Sequence, residues 1–394
     1  MNRRRRSRNR RSSNNNSRGQ RGKSKSKGET VRGLLAIYRD GFGFLRTEDN
    51  NYASTKRDVF VPGHFIERFD LRPGVEIVGT ASDQKTNKRP LTHIETVDGM
   101  PPASFQRIPE YRKLMARDPD KRILLEMPDG DLTLRVIDLI TPIGFGQRAL
   151  IVAPPRTGKT VILHKLTQAI LHNHKDAEVY VLLVDERPEE VTDFTRSCEG
   201  AKIFSSSLDK DTAVHCELSE LVFERARRRV EEGKDVVLLM DSLTRMARAF
   251  NNERGRSGRT LSGGLDAQAM QKPREFFGAA RAVDEGSLTV IATALVDTGS
   301  RLDQVIFEEF KGTGNLELCL TRRLADHRIF PAIEIRDSAT RKEEKLRTPE
   351  EMQRVNALRR FILKGNKARE AMQGLLKRLS ETQNNAQFLM GLPV

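Results

Sequence analysis

The hydrophobic and polar positions follow two different patterns along the chain. Between residues 29 and 98, apolar and polar positions alternate in short runs separated by Gly, Asp and Asn. A period of two is typical of half-buried β-strands, because successive side chains of a strand point to opposite faces. The pattern predicts strands at residues 31–37 and 58–62 and turns at Gly74 and residues 83–89, and therefore a small β-barrel.

From residue 131 onwards, fully apolar runs alternate with amphipathic stretches. This alternation is typical of a mostly parallel sheet with helices on both faces. The apolar runs predict strands at residues 134–140, 150–152, 179–184, 236–240, 287–294, 316–320 and 332–335. The amphipathic stretches predict helices at residues 161–172 and 218–231, and two C-terminal helices within about 349–380 that begin at a capping box.

The distribution of charge adds a third region. The 394-residue chain has a net charge of +15, and residues 1–28 hold 12 Lys/Arg and no Asp/Glu, which leaves 57 Lys/Arg against 54 Asp/Glu elsewhere. Because residues 1–28 are almost devoid of apolar side chains, we predict a disordered basic arm that attracts polyanions, RNA above all. The alternative is a solvated tail that only raises solubility. Attraction to a membrane surface is disfavoured, since no amphipathic helix accompanies the arm.

Two further features bear on location. No apolar run approaches the roughly 20 residues that span a bilayer, and the three Cys are scattered without metal-ligand spacing. We therefore expect a cytoplasmic protein without a membrane partner. Its predicted organisation is an arm (1–28), a barrel (29–98), a linker with connecting elements (99–130) and an α/β domain (131–394).

The strongest chemical signal lies in residues 151–161, which read as an apolar strand, a short loop, Gly-Lys-Thr and the start of a helix. In such a P-loop, backbone N–H groups and a helix N-terminus surround the phosphates of a nucleotide. Lys159 adds a charge at the outer phosphates, and the Thr160 hydroxyl ligates Mg²⁺. The residues predicted to bind ATP here are Pro155, Arg156, Thr157, Gly158, Lys159, Thr160 and Val161.

Acidic residues after two other apolar strands are predicted to complete this site. Asp241 has the position of a Walker B carboxylate, which holds Mg²⁺ through water. Glu186 is predicted to orient the attacking water, the alternative being a salt bridge at the surface. In ring-forming P-loop ATPases a positive side chain of the neighbouring subunit often completes the site, and Arg328 and Arg341 are the candidates.

A second constellation lies in the barrel. Phe42 and Phe44 alternate with glycines and so share one face of a strand, and Phe60 lies in the next predicted strand. With Arg46 beside them, these rings predict an aromatic platform on which unpaired bases stack. The alternative is that the phenylalanines belong to the barrel core.

Two polar segments, residues 251–266 and 297–301, lie between elements of the α/β domain. Long polar loops inside a compact domain are usually functional or disordered. We predict that these loops face a pore and hold a nucleic-acid backbone.

Together these motifs resemble the Rho family of transcription termination factors, which are hexameric RNA-dependent ATPases and helicases. The resemblance extends from about residue 33 to the C-terminal helices. It includes the P-loop and residues 40–46, 185–191, 241–245, 276–281 and 308–315. It implies a RecA-like P-loop ATPase core preceded by an OB-fold, cold-shock-like barrel, with ATP and Mg²⁺ as cofactors.

The resemblance also implies roles for individual residues. Tyr52 resembles a further aromatic of the primary RNA site, Arg187 a phosphate-side arginine and Phe330 a residue that packs on adenine. Arg341 resembles the trans-acting arginine finger, with Arg328 as a second interface arginine. A secondary RNA site is implied for Arg259, Thr260, Gly263, Gly264, Thr298, Gly299, Ser300 and Arg301.

The function that follows is an RNA-stimulated ATPase and helicase. We expect a homohexamer that translocates along nascent single-stranded RNA and releases the transcript from an RNA polymerase elongation complex, with a transcription elongation or termination factor as a further partner. One alternative is a rotary or secretion-type ATPase, which has no use for a base-stacking platform. The other is an RNA-binding protein or chaperone with a decayed ATPase, against which the intact Lys159, Glu186 and Asp241 argue.

Overall fold

The computed structural model describes residues 28–82, 89–254, 265, 266, 268–364 and 368–392. Its N-terminal strands are β1 (Glu29–Ile37), β2 (Gly43–Arg46), β3 (Val59–Val61), β4 (Glu76–Ala81) and β5 (Arg89–Val97). They close into a barrel in the order β1-β2-β3-β5-β4, with helix α1 (Gly63–Phe69) after β3. The barrel forms because alternate positions are apolar, so that Leu35, Leu45 and Ile77 lie fully inside it. The predicted β-barrel is confirmed.

The α/β domain is built on one large sheet, which contains nine strands within the described residues. The strands of this sheet are β6 (Ala116–Arg117), β9 (Arg148–Ala153), β10 (Glu178–Glu186), β11 (Lys202–Ser207), β12 (Asp235–Asp241), β13 (Arg281–Val283), β14 (Ser287–Leu295), β15 (Leu316–Cys319) and β16 (Ala339–Thr340). Their order is β11-β10-β12-β14-β9-β15-β16, with β13 on β14 and β6 on β13. All neighbours from β11 to β15 are parallel, so their carboxyl ends meet at one edge. Two short strands, β7 (Arg122–Ile123) and β8 (Ile143–Gly144), pair separately.

Helices cover both faces of this sheet, as the parallel order requires. The helices after the barrel are α2 (Pro102–Phe105), α3 (Leu132–Ile140), α4 (Lys159–Asn173), α5 (Pro188–Ser197), α6 (Thr212–Glu231), α7 (Leu243–Arg254), α8 (Gln271–Gly278), α9 (Arg301–Lys311), α10 (Arg322–Asp326), α11 (Pro349–Lys364), α12 (Ala368–Ser380) and α13 (Asn385–Met390). One hydrophobic core packs α3, α4 and the C-terminal helices against the sheet, and a second packs α6, α7 and α8 against the other face. The predicted α/β fold class is therefore confirmed.

The predicted strand at residues 134–140 is wrong, because this segment is helix α3. The Asp131 side chain accepts a hydrogen bond from the Leu134 N–H (3.0 Å) and caps the helix. Nearly every residue of α3 is buried, including Arg135, which donates to the carbonyls of Leu379 (2.8 Å) and Thr382 (2.7 Å). Arg135 and Asp138 keep the three-residue spacing of one helix face, but the apolar residues around them outweigh that signal and resemble a buried strand.

The predicted strand at residues 332–335 is also wrong as a separate element. This segment makes a single bridge, between Leu320 and Ile333, beyond the end of β15. One half of the predicted capping box is confirmed, since the Thr348 hydroxyl accepts from the Glu351 N–H (3.2 Å), while the Glu351 carboxylate accepts from Arg122 and Arg347.

The barrel rests directly on helix α6. Asp98, at the end of the barrel, forms a buried ion pair with Arg225 of α6, and the Pro73 carbonyl accepts from Arg228 (3.1 Å). Gly74 lies so close to α6 that a Cβ built on it would be 2.4 Å from the backbone nitrogen of Arg225. Leu34 of β1 belongs to the same hydrophobic core as α6. The two domains therefore share an interface that combines apolar packing with buried ion pairs.

Three of the regions discussed from the sequence lie wholly or mostly outside the described residues. These are the basic arm, apart from Gly28, most of the turn at residues 83–89, and residues 255–264 of the first polar segment, whose residues 251–254 belong to helix α7. Among the helices that are described, none combines the length and the apolar character needed to cross a membrane.

Candidate functional site

The P-loop occupies the carboxyl end of β9. The chain leaves the sheet after Ala153 and enters α4 at Lys159, the first residue of that helix. Gly158 has a φ of +88°, a conformation that glycine adopts without strain. The Thr157 hydroxyl donates to the Pro154 carbonyl (2.7 Å) and holds the loop in its curved form. The N-terminus of a 15-residue helix thus points into the loop, as phosphate binding requires.

Lys159 lies between two buried carboxylates that end neighbouring strands. Its ammonium donates to Asp241 and is 3.6 Å from Glu186 Oε1. Both carboxylates are 1% exposed. Asp241 also accepts from the Thr293 hydroxyl (2.9 Å). The P-loop and both predicted acidic residues therefore meet at one edge of the sheet, as expected for strands that run parallel.

These carboxylates retain unused acceptor capacity. Among the described residues, Asp241 Oδ2 and both oxygens of Glu186 have no hydrogen-bond partner. Burial raises the pKa of Glu186, and the nearby Asp241 charge raises that pKa further. Unpaired buried oxygens next to a P-loop hydroxyl, Thr160, form the oxygen-rich donor set that suits Mg²⁺ and its water ligands. The residues present fit the cation.

Phe330 lies against the P-loop, and three further residues of the predicted nucleotide site are exposed. Phe330 is 47% exposed, and its ring lies 3.7 Å from a Cβ built on Gly158. Arg328 is exposed two residues before it, and Arg187 is exposed at the start of α5. Val161 is 57% exposed on the first turn of α4. Phe330 is therefore placed where a ring could cover a nucleotide on the P-loop.

Arg341 lies at the other end of the strands. Its N–H donates to the carbonyl of Asn315 (2.9 Å), which directly precedes β15. β15 begins beside Ala149, near the start of β9, whereas the P-loop follows the end of β9. The six residues of β9 span about 20 Å at roughly 3.3 Å each. Arg341 therefore cannot reach the P-loop of its own chain.

The aromatic cluster of the barrel is formed as predicted. β2 and β3 pair antiparallel with Phe44 opposite Phe60, and the two ring centroids are 5.7 Å apart. Phe42 lies 5.5 Å from Phe60 and 5.8 Å from Phe44. All three rings are half-buried, on the outer face of the barrel. Glycine is required at Gly43 by packing inside the barrel. A Cβ there would point inward and lie 2.7 Å from the Leu35 side chain.

Arg46 lies beside the aromatic rings as predicted, with its guanidinium carbon 5.7 Å from the centroid of the Phe44 ring, but it is buried. The Arg46 guanidinium is 3% exposed and forms an ion pair with Asp58, because the buried carboxylate requires a partner. Tyr52 is half-buried between the domains, with its ring 5.0 Å from that of Phe204. Both residues line a cavity of about 370 Å³ between the platform and Glu217 of α6. Their predicted contact with RNA stays a prediction.

The second polar loop is well defined at residues 297–301. Gly299 has a φ of +79°, and the Ser300 hydroxyl caps α9 by accepting from the Asp303 N–H (3.3 Å). Thr298 donates to Asp303 Oδ2 (2.6 Å), and Arg301 is exposed as the first residue of α9. The other predicted members of this site lie outside the described residues: Arg259, Thr260, Gly263 and Gly264.

Comparison with known proteins agrees with this geometry. Residues 31–103 match the Rho termination factor RNA-binding domain, and residues 133–340 match the nucleotide-binding domain of the ATP synthase alpha/beta family. The transcription termination factor Rho of Rhodopirellula baltica is 48% identical over 366 residues, which cover 91% of this chain and 71% of that protein. The Rho of Aquifex aeolicus is 48% identical over 374 residues, which cover 93% of this chain and 86% of that protein. The chain belongs to the Rho family.

A solved structure shows how widely the Rho core is shared. An ATPase from the type III secretion system of pathogenic bacteria has a TM-score of 0.59 and 21% identity, covering 70% of this chain and 85% of its own. At this identity the likeness concerns the fold alone. The predicted resemblance to Rho and the predicted fold class are both confirmed.

Two residues of this Rho-family chain were missed from the sequence. Arg245 of α7 has its guanidinium 3.2 Å from Glu186 Oε2 and donates to the Asp185 carbonyl. The available signal was that Arg245 follows Asp241 by four residues, in the first turn of the next helix. The Tyr38 ring stacks on the Phe42 ring, with the two centroids 5.9 Å apart. Tyr38 is 36% exposed and therefore lies outside the barrel core. It extends the aromatic platform to a fourth ring.

Proposed function

We propose that this chain is the subunit of a homohexameric, RNA-stimulated ATPase that translocates along single-stranded RNA and ends transcription by releasing the transcript from RNA polymerase. The carrying observation is that one chain joins a half-buried aromatic cluster on the outer face of a barrel to a P-loop with Lys159 between two buried carboxylates. The relatives named above are termination factors, which supports the cellular role. Action in the cytoplasm belongs to the same proposal.

In this proposal the P-loop amides and Lys159 bind the phosphates of ATP. Binding draws Lys159 away from Asp241 and Glu186, because one ammonium cannot neutralise both the phosphates and two carboxylates. Thr160 and, through water, Asp241 are the residues that would hold Mg²⁺, which would neutralise phosphate charge. Glu186, freed from the ammonium, accepts a hydrogen bond from water beside the γ-phosphate and orients it for attack.

The position of Arg341 supports a ring. An arginine about 20 Å from its own P-loop can act only on the nucleotide of another subunit. A head-to-tail arrangement brings the amino end of one sheet against the P-loop of the next, and such an interface closes into a ring when the rotation allows it. Arg328, which lies on the P-loop side of its own chain near Phe330, is proposed as a second arginine at this interface.

RNA is proposed to bind twice. The rings of Tyr38, Phe42, Phe44 and Phe60 offer stacking surfaces for unpaired bases, each worth about 1–3 kcal/mol. The family match over residues 31–103 supports this primary site. Residues 297–301 and the loop that contains Arg259 are proposed to hold the RNA backbone in the ring channel. RNA polymerase and a further transcription factor are proposed as protein partners.

The test is the rate of ATP hydrolysis by the full chain with and without single-stranded RNA. We expect RNA to raise the rate and Lys159→Ala to abolish it with RNA present. Equal rates with and without RNA, together with activity in Lys159→Ala, would contradict the proposal. Particle mass in the presence of ATP and RNA tests the ring separately, and release of labelled transcripts from halted elongation complexes tests termination.

A further inference from the structure

Asp303 is the meeting point of a buried network at the base of the loop formed by residues 297–301. Its carboxylate is 2% exposed, although an isolated buried charge is costly. Arg248 of α7 satisfies it with two donors: Nε lies 2.7 Å from Oδ1, and Nη2 contacts Oδ2. The Thr298 hydroxyl donates to the same Oδ2 (2.6 Å), and the Thr298 oxygen in turn accepts from the Ser300 N–H (3.2 Å). The loop conformation is therefore tied to one carboxylate and one arginine.

Helix α7 connects this network to the nucleotide site. It begins two residues after Asp241, and its Arg245 contacts Glu186 at 3.2 Å. Arg245 and Arg248 are three residues apart and so lie on one side of the helix, about 4.5 Å apart along its axis. One short helix thus contacts the catalytic carboxylate and the loop anchor with successive arginines.

A further contact joins the helix to the strand before the loop. The Thr244 hydroxyl accepts from the N–H of Leu295, the last residue of β14, at 2.9 Å. Helix α7 therefore contacts the nucleotide site, the strand before the loop and the carboxylate that anchors the loop.

We propose that the Arg248–Asp303 ion pair is the positioning contact through which RNA held by residues 297–301 controls hydrolysis at the P-loop. The inference rests on the proposed function and adds to it the residues that couple the two sites. Neither residue touches the nucleotide site in this structure, so both act through others: Asp303 through Thr298 and the α9 N-terminus, Arg248 through α7 and Arg245.

The test compares RNA stimulation in full-length variants. Asp303→Asn removes the carboxylate charge without changing side-chain size, and Arg248→Gln removes the positive charge with a shorter polar side chain. We expect the RNA-stimulated kcat to fall about tenfold, a typical size for coupling between sites. Without RNA, kcat and the KM for ATP should stay unchanged, and the affinity of a single-stranded RNA oligonucleotide for the barrel should also stay unchanged.

Another pair on α9 provides the matched control. Arg274 of α8 pairs with Glu309, and both side chains are partly exposed, 47% and 33%. This pair contacts neither the loop nor α7, so Glu309→Gln should retain full stimulation. Arg248→Lys keeps the charge at a partly exposed position and should fold, but one ammonium cannot reproduce the two-donor fork, so stimulation should fall here too.

The outcomes are distinct. Full stimulation in Arg248→Gln and Arg248→Lys overturns the coupling role while leaving the proposed function intact. Equal loss in Glu309→Gln, or equal loss of basal and stimulated rates in Arg248→Lys, assigns the pair to packing alone. If the unchanged chain shows no stimulation by RNA, the proposed function and this inference fail together.

Discussion

At the scale of single residues, the nucleotide site places one ammonium between two buried carboxylates. Lys159 is shared between Asp241 and Glu186, and among the described residues Asp241 Oδ2 and both Glu186 oxygens accept no hydrogen bond. Burial and the Asp241 charge raise the pKa of Glu186 above its ordinary value of 4.5. A carboxyl group whose pKa is raised by folding stabilises the protein below that ordinary value and ceases to do so as pH rises through the folded pKa.

Glu186→Gln should therefore change both stability and catalysis. Without nucleotide, we expect the Tm of the variant relative to the unchanged protein to increase as pH rises from about 4.5, because the neutral amide has no ionisation to lose. Hydrolysis should fall about 100-fold or more, as for loss of a general base, with ATP binding retained. Thermal unfolding between pH 4.5 and 8 measures the first effect.

Glu189→Gln serves as the control, since Glu189 is exposed at the start of α5. It should show neither the pH trend nor the loss of hydrolysis. A Tm difference for Glu186→Gln that is constant with pH would rule out the electrostatic account.

At the scale of elements, the interface between barrel and α6 depends on close backbone approach. Gly74 and Gly99 both have positive φ, +84° and +76°. A Cβ on Gly74 would lie 2.4 Å from the Arg225 nitrogen, whereas a Cβ on Gly99 meets nothing within 4 Å. An alanine at either position is strained by the positive φ, but only an alanine at Gly74 also collides with α6. Comparing the two substitutions therefore isolates the cost of the collision.

Gly74→Ala should destabilise the protein by about 1–3 kcal/mol more than Gly99→Ala, the usual range for overpacking. The barrel should also separate from α6, which limited proteolysis near residues 99–110 would detect. Denaturant unfolding measures the free-energy difference. Equal destabilisation by the two substitutions would show that α6 yields to the added methyl group.

The same scale shows what the sequence could predict. Strands β1 and β3 and the strands at residues 179–184 and 236–240 were predicted correctly, because a strand with one or two apolar faces leaves a local pattern. Strands β4 and β5 were not predicted individually. Helix α3 was missed, because its apolar run outweighed the helical spacing of Arg135 and Asp138. In the site, Lys159, Glu186 and Asp241 came together as expected from motif and strand order. The burial of Arg46 and the contacts of Arg245 were missed, since they depend on elements distant in sequence.

At the scale of the whole molecule, the position of Arg341 makes a direct prediction about mixed assemblies. Lys159→Ala and Arg341→Ala subunits should each be inactive alone. In an equal mixture, about one quarter of random head-to-tail interfaces join an intact P-loop to an intact Arg341. We expect ATP hydrolysis to reappear on mixing, measured at fixed total protein. Continued inactivity of assembled mixtures would place Arg341 outside the neighbouring site.

The basic arm carries a prediction of its own. Deleting residues 1–28 removes 12 positive charges and no negative ones. RNA affinity should fall, and the plot of its logarithm against the logarithm of salt concentration should become less steep, because fewer counterions are released. Fluorescence anisotropy at several salt concentrations measures the slope, and an identical slope would show that the arm does not contact RNA.

The contact of the barrel with α6 has a mechanical consequence. Pro73, Gly74 and Asp98 meet α6 at Arg225 and Arg228, and Arg72 pairs with Glu231 at 2.9 Å, so the contacts follow successive positions along the helix. Tension on an RNA strand bound to the barrel, acting along α6, would shear these contacts. In shear all the contacts would resist together, and none would have to break before the others. Under the proposed function, helix α6 would transmit force from the bound strand to the central sheet, against which it packs.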